Sequence, residues 1–349
     1  MFEATSIKYD LVFKKPSGTS RGILYKKPSW FIKIYKKNNF EVFGIGECGP
    51  IDGLSVDNIS DISEKLNEVT SNINEYKQID ITRFPSIKFG LETAFKDLKN
   101  NGTRTIFKNG FSKGLKSIKI NGLIWMGDPI SMKNQITDKL NLGFSCLKLK
   151  IGALKFEDEL NIIKSIRTEF NKNDLEIRVD ANGAFKYDSA MGKLDKLHKL
   201  DLHSIEQPIE VNQFEKMRYL CEKSPLPIAL DEELIKPRTK EEKIQLINFL
   251  NPHFLVLKPS LLGGFNETQQ WINIAKKQKI KWWITSALES NIGLNAIAQY
   301  CCEFDLNMPQ GLGTGNIYNN NISSPLALKN DYLSYNINKS WSLNNIFQS

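Results

Sequence analysis

The chain has 349 residues, 41% hydrophobic and 25% charged, the balance of a globular protein large enough for more than one structural unit. No apolar run approaches the ~20 residues needed to cross a bilayer, and the N-terminal MFEATSIKYD lacks the basic start and apolar centre of an export signal, so a cytoplasmic location without membrane partners is expected. The net charge is +8, but the 47 basic residues are scattered in pairs such as Lys14 and Lys15 or Lys276 and Lys277, not gathered in a stripe with aromatics, which argues against a nucleic-acid partner and leaves attraction of an anionic small molecule.

Residues 1 to about 115 begin with alternating runs, 30–35 (WFIKIY) and 40–45 (FEVFGI), which suit an antiparallel meander. Gly44, Gly46, Gly49 and Gly53 then mark a loop, and helical patterns follow over 61–76 and 86–98. Strands followed by helices predict an α+β domain over 1–115. From about Ser117 the rhythm changes to strand–helix alternation. The expected strands are 118–125 (IKINGLIW), 144–150 (FSCLKLK), 175–180 (LEIRVD), 202–206 (LHSIE), 227–231 (PIALD) and 254–258 (FLVLK). Helices are expected over 130–142, 156–171, 187–199, 211–222, 238–249, 266–278 and 291–303. A last, weak strand region at 304–308 precedes the glycine-rich 311–315 (GLGTG). This order predicts an α/β fold in which a modified TIM (β/α) barrel occupies 116–325, and the polar segment 326–349 returns to the first domain.

In a barrel of this kind the active site lies at the C-terminal strand ends. Buried strands do not ordinarily finish in bare charges, yet Asp180, Glu206 and Asp231 end three successive strands, 26 and 25 residues apart. Any one alone would be a helix cap or a solvated loop charge. Three on adjacent strands would share one side of the rim, repel one another and raise each other's pKa, a conflict that a divalent cation with oxygen ligands removes. Lys148 and Lys150, two apart on one strand, share a face, and Lys258 ends a strand on the far side of the mouth. A lysine acting as a base must be neutral. Bringing its pKa from ~10.4 to around 7–8 takes about 4 kcal/mol, within reach of a dication and neighbouring ammonium groups. The five cysteines show no C-x-x-C spacing and the three histidines form no ligand-like cluster, so carboxylate chemistry, with Mg²⁺ favoured and Mn²⁺ as a substitute, is expected rather than zinc.

Lys148-x-Lys150, Asp180-Ala-Asn182, Glu206-Gln-Pro208, Asp231-Glu232 and the run 258–264 (KPSLLGG) resemble, in order and spacing, the motifs of the enolase superfamily in its muconate-lactonising subgroup. Within it, stretches 17–24, 44–55, 285–299 and 310–318 are most similar to the o-succinylbenzoate synthase family of menaquinone biosynthesis. The resemblance implies a hydro-lyase acting on 2-succinyl-6-hydroxy-2,4-cyclohexadiene-1-carboxylate, with Mg²⁺ on Asp180, Glu206 and Asp231. It implies Lys150 as base and acid, Lys148 and Lys258 as electrostatic partners, and Asn182 and Glu232 as residues that orient the ligands. It further implies substrate contacts from Arg178, which shares the face of Asp180, and from Ser286 and Gly311. The first domain would be a capping domain whose loops 17–24 and 46–55 close over the mouth. N-acylamino acid racemase and dipeptide epimerase share both lysines and stand as alternatives, although 311–315 lacks the acidic pair expected of dipeptide epimerases. A non-catalytic barrel is the remote alternative, and the oligomeric state stays open.

Overall fold

The computed structural model describes residues 1–19 and 22–347. Three long antiparallel strands, β1 (Phe2–Thr19), β2 (Gly22–Lys36) and β3 (Asn39–Cys48), form the first sheet in that order. β1 lies outside the runs named above. Much of its length is exposed, and among its apolar residues only Leu11 and Phe13 are buried. Helices α1 (Ile59–Ser71) and α2 (Pro85–Lys99) cover the sheet, burying Trp30, Ile32 and Ile34 against Ile62, Leu66, Ile87 and Ala94.

The expected loop at Gly44 is in fact strand. β3 runs to Cys48, and a side chain at Gly44 or Gly46 would collide with the α2 backbone at Ala94 or Gly90. These glycines let a helix lie directly on a strand, a use of glycine that reads as a turn when only the sequence is seen.

The second unit alternates strand and helix. The expected first strand, 118–125, is split into β4 (Ile118–Lys119) and β5 (Gly122–Ile124). There follow α3 (Pro129–Asn141), β6 (Cys146–Lys150), α4 (Phe156–Glu169), β7 (Glu176–Asp180), α5 (Tyr187–His198), β8 (Ser204–Glu206), α6 (Phe214–Lys223), β9 (Ile228–Leu230) and α7 (Lys240–Leu250). The alternation ends with β10 (Phe254–Leu257), α8 (Pro259–Leu262), α9 (Phe265–Lys277), β11 (Lys281–Ile284) and α10 (Asn291–Cys301). Some helix starts carry side-chain caps: Asp128 accepts from the Ile130 and Ser131 amides, and Thr239 with Glu242 forms a capping box.

Strands β5 to β11 make a curled seven-stranded parallel sheet in sequence order. Its edges are bridged by two residues: Gln310 pairs with Ile120, and Gly311 with Thr285. The eighth position is therefore 310–311, not 304–308, because Gln310 spends its side chain on the sheet, accepting from the Ile284 amide at 2.8 Å. Leu147, Leu149, Ile177, Val179, Ile205 and Leu257 form the core between strands and helices.

The last segment divides. β12 (Leu326–Lys329) pairs with β13 (Tyr332–Tyr335), which pairs in turn with β4, whereas Trp341, Leu343 and Ile346 pack with Phe31 and Ile45 of the first sheet. Among the described residues no helix is long and apolar enough to cross a membrane.

Candidate active site

Parallel register places Lys150 beside Asp180 and Asp180 beside Glu206, while Asp231 is the first residue past β9. One carboxylate oxygen from each of Asp180, Glu206 and Asp231 lies within 4.8 Å of the others, and all three side chains are buried. The lysines surround them. Lys148 Nζ lies 2.9 Å from Asp180 Oδ2 and also donates to Glu206 Oε2. Lys150 Nζ donates to Asp180 Oδ2 at 2.6 Å and to Asn182 Oδ1 at 2.8 Å. Lys258, from the far wall, donates to Asp231. Asn182, held in the left-handed region at φ 45°, donates from Nδ2 to Glu232 Oε1 at 2.8 Å. The six motif residues and both of their neighbours therefore meet at one end of the sheet.

The electrostatics are those of an anionic cluster short of cations. Burial disfavours charge on Asp180, yet Lys148, Lys150 and Lys258 hold its carboxyl well below the usual range. Burial pushes Glu206 up to about 8, the pull of Lys148 being offset by Asp180 and Asp231. Burial also raises Glu232, with Asp231 adding to it. Lys148 and Lys258 are held above their ordinary values: burial opposes this, but the carboxylates outweigh it. The ammonium groups thus sit against the carboxylates that would otherwise face a cation. Two further oxygens, Glu206 Oε1 and Asp231 Oδ1, are buried without any hydrogen-bond donor. Orphaned buried carboxylate oxygens are costly, and oxygen-only donors at this spacing fit a hard divalent cation.

The cavity above the cluster is lined on the opposite side by Asn121, Leu123, Trp125, the 285–288 segment, Gly311, Gly313 and Thr314. Ser286 and Gly311, both expected to contact substrate, line it. Ser286 Oγ lies 2.7 Å from Thr314 Oγ1, and a side chain at Gly311 would collide with Thr285. Leu24, Ile51, Asp52 and Leu54 reach in from the expected capping loops, of which Ser20 and Arg21 lie outside the described residues.

Arg178 does not reach the cavity. It is fully buried one residue pair below Asp180, its Nε donates to Glu176 at 2.7 Å, its Nη1 to the Pro309 carbonyl at 3.0 Å, and its guanidinium lies 4.3 Å from the Trp283 ring centre. Sharing the face of Asp180 put it inside the sheet but one layer too deep, so the expected substrate contact is withdrawn. Sequence reasoning missed Gln207, whose carboxamide accepts from the Glu233 amide at 3.3 Å and donates to Glu233 Oε2 at 3.1 Å, fixing the turn that carries Asp231. It also missed the apolar wall of Leu123 and Trp125, although both stand in the run 118–125 at the period of two that a strand requires.

Residues 131–332 match the family described as enolase C-terminal domain-like. An o-succinylbenzoate synthase from Desulfotalea psychrophila is 42% identical over 353 residues, covering 91% of this chain and 95% of that protein. An L-Ala-D/L-Glu epimerase from Francisella tularensis subsp. novicida is 24% identical, covering 74% of this chain and 75% of that protein. Among solved structures, MenC from Desulfotalea psychrophila superimposes with a TM-score of 0.86 at 38% identity, covering 95% of this chain and 99% of that one.

Proposed function

The chain belongs to the enolase C-terminal domain-like family, and from that premise we propose that it is a lyase, an o-succinylbenzoate synthase of menaquinone biosynthesis. We read the curled sheet as a modified β/α barrel and residues 1–115 as its capping domain, because Leu24, Ile51, Asp52 and Leu54 overhang the cavity. The observation that carries the reading is the clustering of Asp180, Glu206 and Asp231 with orphaned oxygens between lysines from opposite walls.

In this reading Asp180, Glu206 and Asp231 hold Mg²⁺. When bound, the ion supplies charge that acidifies the carbon next to the substrate's ring carboxylate. Lys150, whose Nζ lies 2.6 Å from Asp180 Oδ2, would in its neutral form remove the proton from that carbon. Lys148 stands where negative charge gathers on the carboxylate oxygens and stabilises it there. Lys150 then returns its proton to the 6-hydroxyl, which leaves as water on the same face, and the ring becomes aromatic. Lys258 holds positive charge against the opposite face. Asn182 and Glu232 orient the ligand carboxylates.

A second reading, racemisation or epimerisation of an acylated amino acid, draws on Lys150 and Lys258 both lining the cavity. Against its dipeptide form, Asp52 is the one acidic residue among the described residues that line the cavity, and no acid stands at 311–315 to receive a substrate amine. Ultraviolet assay of o-succinylbenzoate formation with Mg²⁺, beside polarimetry of N-succinyl amino acids, separates them. The proposal expects the first signal to dominate; racemisation without aromatic product would overturn it.

A further inference from the structure

Behind the cavity, where the first domain meets the barrel, lies a second charged cluster that the mechanism above does not use. Lys27, Ser29, Glu47, Ser260, Glu289 and Ser290 are each at most 3% exposed. Glu47, at the end of β3, reaches across the boundary to the start of α10. Its Oε1 accepts from the Ser290 amide at 2.9 Å and from Ser29 Oγ at 3.1 Å. Its Oε2 accepts from Ser290 Oγ at 2.5 Å and from the Gly293 amide at 3.0 Å. A carboxylate from one domain thus caps a helix of the other.

Glu289, the next acid, accepts from the Ala287 amide at 2.7 Å and from Ser260 Oγ. Lys27 donates to Ser29 Oγ at 3.2 Å, and its charge acts on both Glu47 and Glu289. A side chain at Gly49 would meet the Lys27 ammonium, so the cluster packs directly against the backbone where it turns into the capping loop.

The cluster is connected to three walls of the cavity. Through Glu47 and Gly49 it holds the root of the segment that contributes Ile51, Asp52 and Leu54. Through the Ala287 amide it fixes the 285–288 wall. Through Ser260 it holds the turn that follows Lys258, whose carbonyl accepts from the Leu261 amide at 2.9 Å. Ion clusters buried this completely contribute little net stability compared with apolar packing, and their best-attested use is fixing register.

We propose that Lys27, Glu47 and Glu289 are positioning residues: one buried charge cluster sets the distances between the capping segment, the 285–288 wall and Lys258 that substrate binding requires. The inference rests on the proposed dehydration, because it assigns these residues to the same cavity. None of the three touches the reacting atoms.

The test replaces the cluster by near-isosteric neutral side chains in the full chain, Lys27→Met with Glu47→Gln and Glu289→Gln. Removing all three together avoids stranding a single buried charge. The expected result is a protein with close to parental melting temperature and parental Mg²⁺ affinity, with KM raised about tenfold or more and kcat within about threefold. Amide exchange in 49–56 and 285–289 should be faster with Mg²⁺ present. Parental KM together with parental exchange overturns the proposal, as does a loss confined to kcat and Mg²⁺ affinity. Should the triple variant fail to fold, Ser290→Ala, which removes the hydroxyl arm to Glu47 together with the hydroxyl that accepts from the Ile292 amide at the start of α10, decides by the same KM and exchange criteria. A parental enzyme that forms no o-succinylbenzoate sinks the functional reading instead, and the exchange measurement then still decides whether the cluster holds the walls.

Discussion

Across the one cavity, the wall built from β7, β8 and β9 and the wall built from β11, the 310–314 segment and β5 follow opposite plans. The first presents an ionisable group at each strand end, braced by lysines and by Gln207 and Asn182. The second presents Leu123, Trp125, Leu288, two glycines and a pair of hydroxyls. In the proposed function, chemistry common to a superfamily uses the first wall, and choice of substrate falls to the second together with the segments 17–24 and 46–55. Substitutions on the two walls should therefore separate: those on the acidic wall affect kcat and metal affinity, and those on the apolar wall affect KM and discrimination.

The largest effect is expected from Glu206→Gln. It keeps the shape and hydrogen bonding but removes one anionic ligand, so Mg²⁺ affinity should fall at least about a hundredfold by calorimetry and kcat on the order of 10³-fold. Unchanged Mg²⁺ affinity would break the contrast between the walls.

Next comes the foot of the acidic wall, where His203 precedes β8 and packs 4.8 Å from the Phe254 ring centre. Burial lowers its pKa to about 4. A base whose folded pKa is depressed binds fewer protons folded than unfolded between those values. Its contribution is therefore complete above about pH 6.5 and lost as pH falls toward 4. Roughly 2–3 kcal/mol of stability should disappear over that window. His203→Gln should remove this difference in paired melting curves. Asp57, raised by burial to about 6, has the opposite slope, its stabilising effect fading as pH rises from about 4 to 6, and it cancels in the pairwise comparison. Parallel curves for the two proteins would refute the assignment.

On the second wall, Gly311→Ala places a methyl group against Thr285 and should cost about 1–3 kcal/mol in thermal or urea unfolding. Trp125→Ala should have the mildest effect on the chemistry, raising KM roughly tenfold with kcat nearly kept. A kcat loss there as large as that of Glu206→Gln would mean that the walls do not divide the labour.

The same contrast explains what could be read from the chain alone. Asp180, Glu206, Asp231, Lys150 and Lys258 are legible because each ends a buried apolar run, and Lys148 because it shares the face of Lys150 two residues before it; parallel strands bring the run ends together. The helices were legible from their period. The opposite wall is legible only at Ser286 and Gly311, and there through resemblance, because it is made by closure: the eighth position is two residues, Gln310 and Gly311, whose place depends on pairing with Ile120 and Thr285. Arg178 shows the limit of face-sharing arguments, since alternation says which side of a strand a residue takes and not how deep it lies. Gly44 and Gly46 show the limit of glycine as a loop signal where a helix packs on a strand.

The most direct test is the turnover of Lys150→Ala, loaded with Mg²⁺, on the hydroxycyclohexadiene carboxylate, with the bound metal counted in the same sample. The account predicts one ion per chain, as in the parent, and a rate lower by at least about 10³-fold. A rate within tenfold of the parent would contradict it.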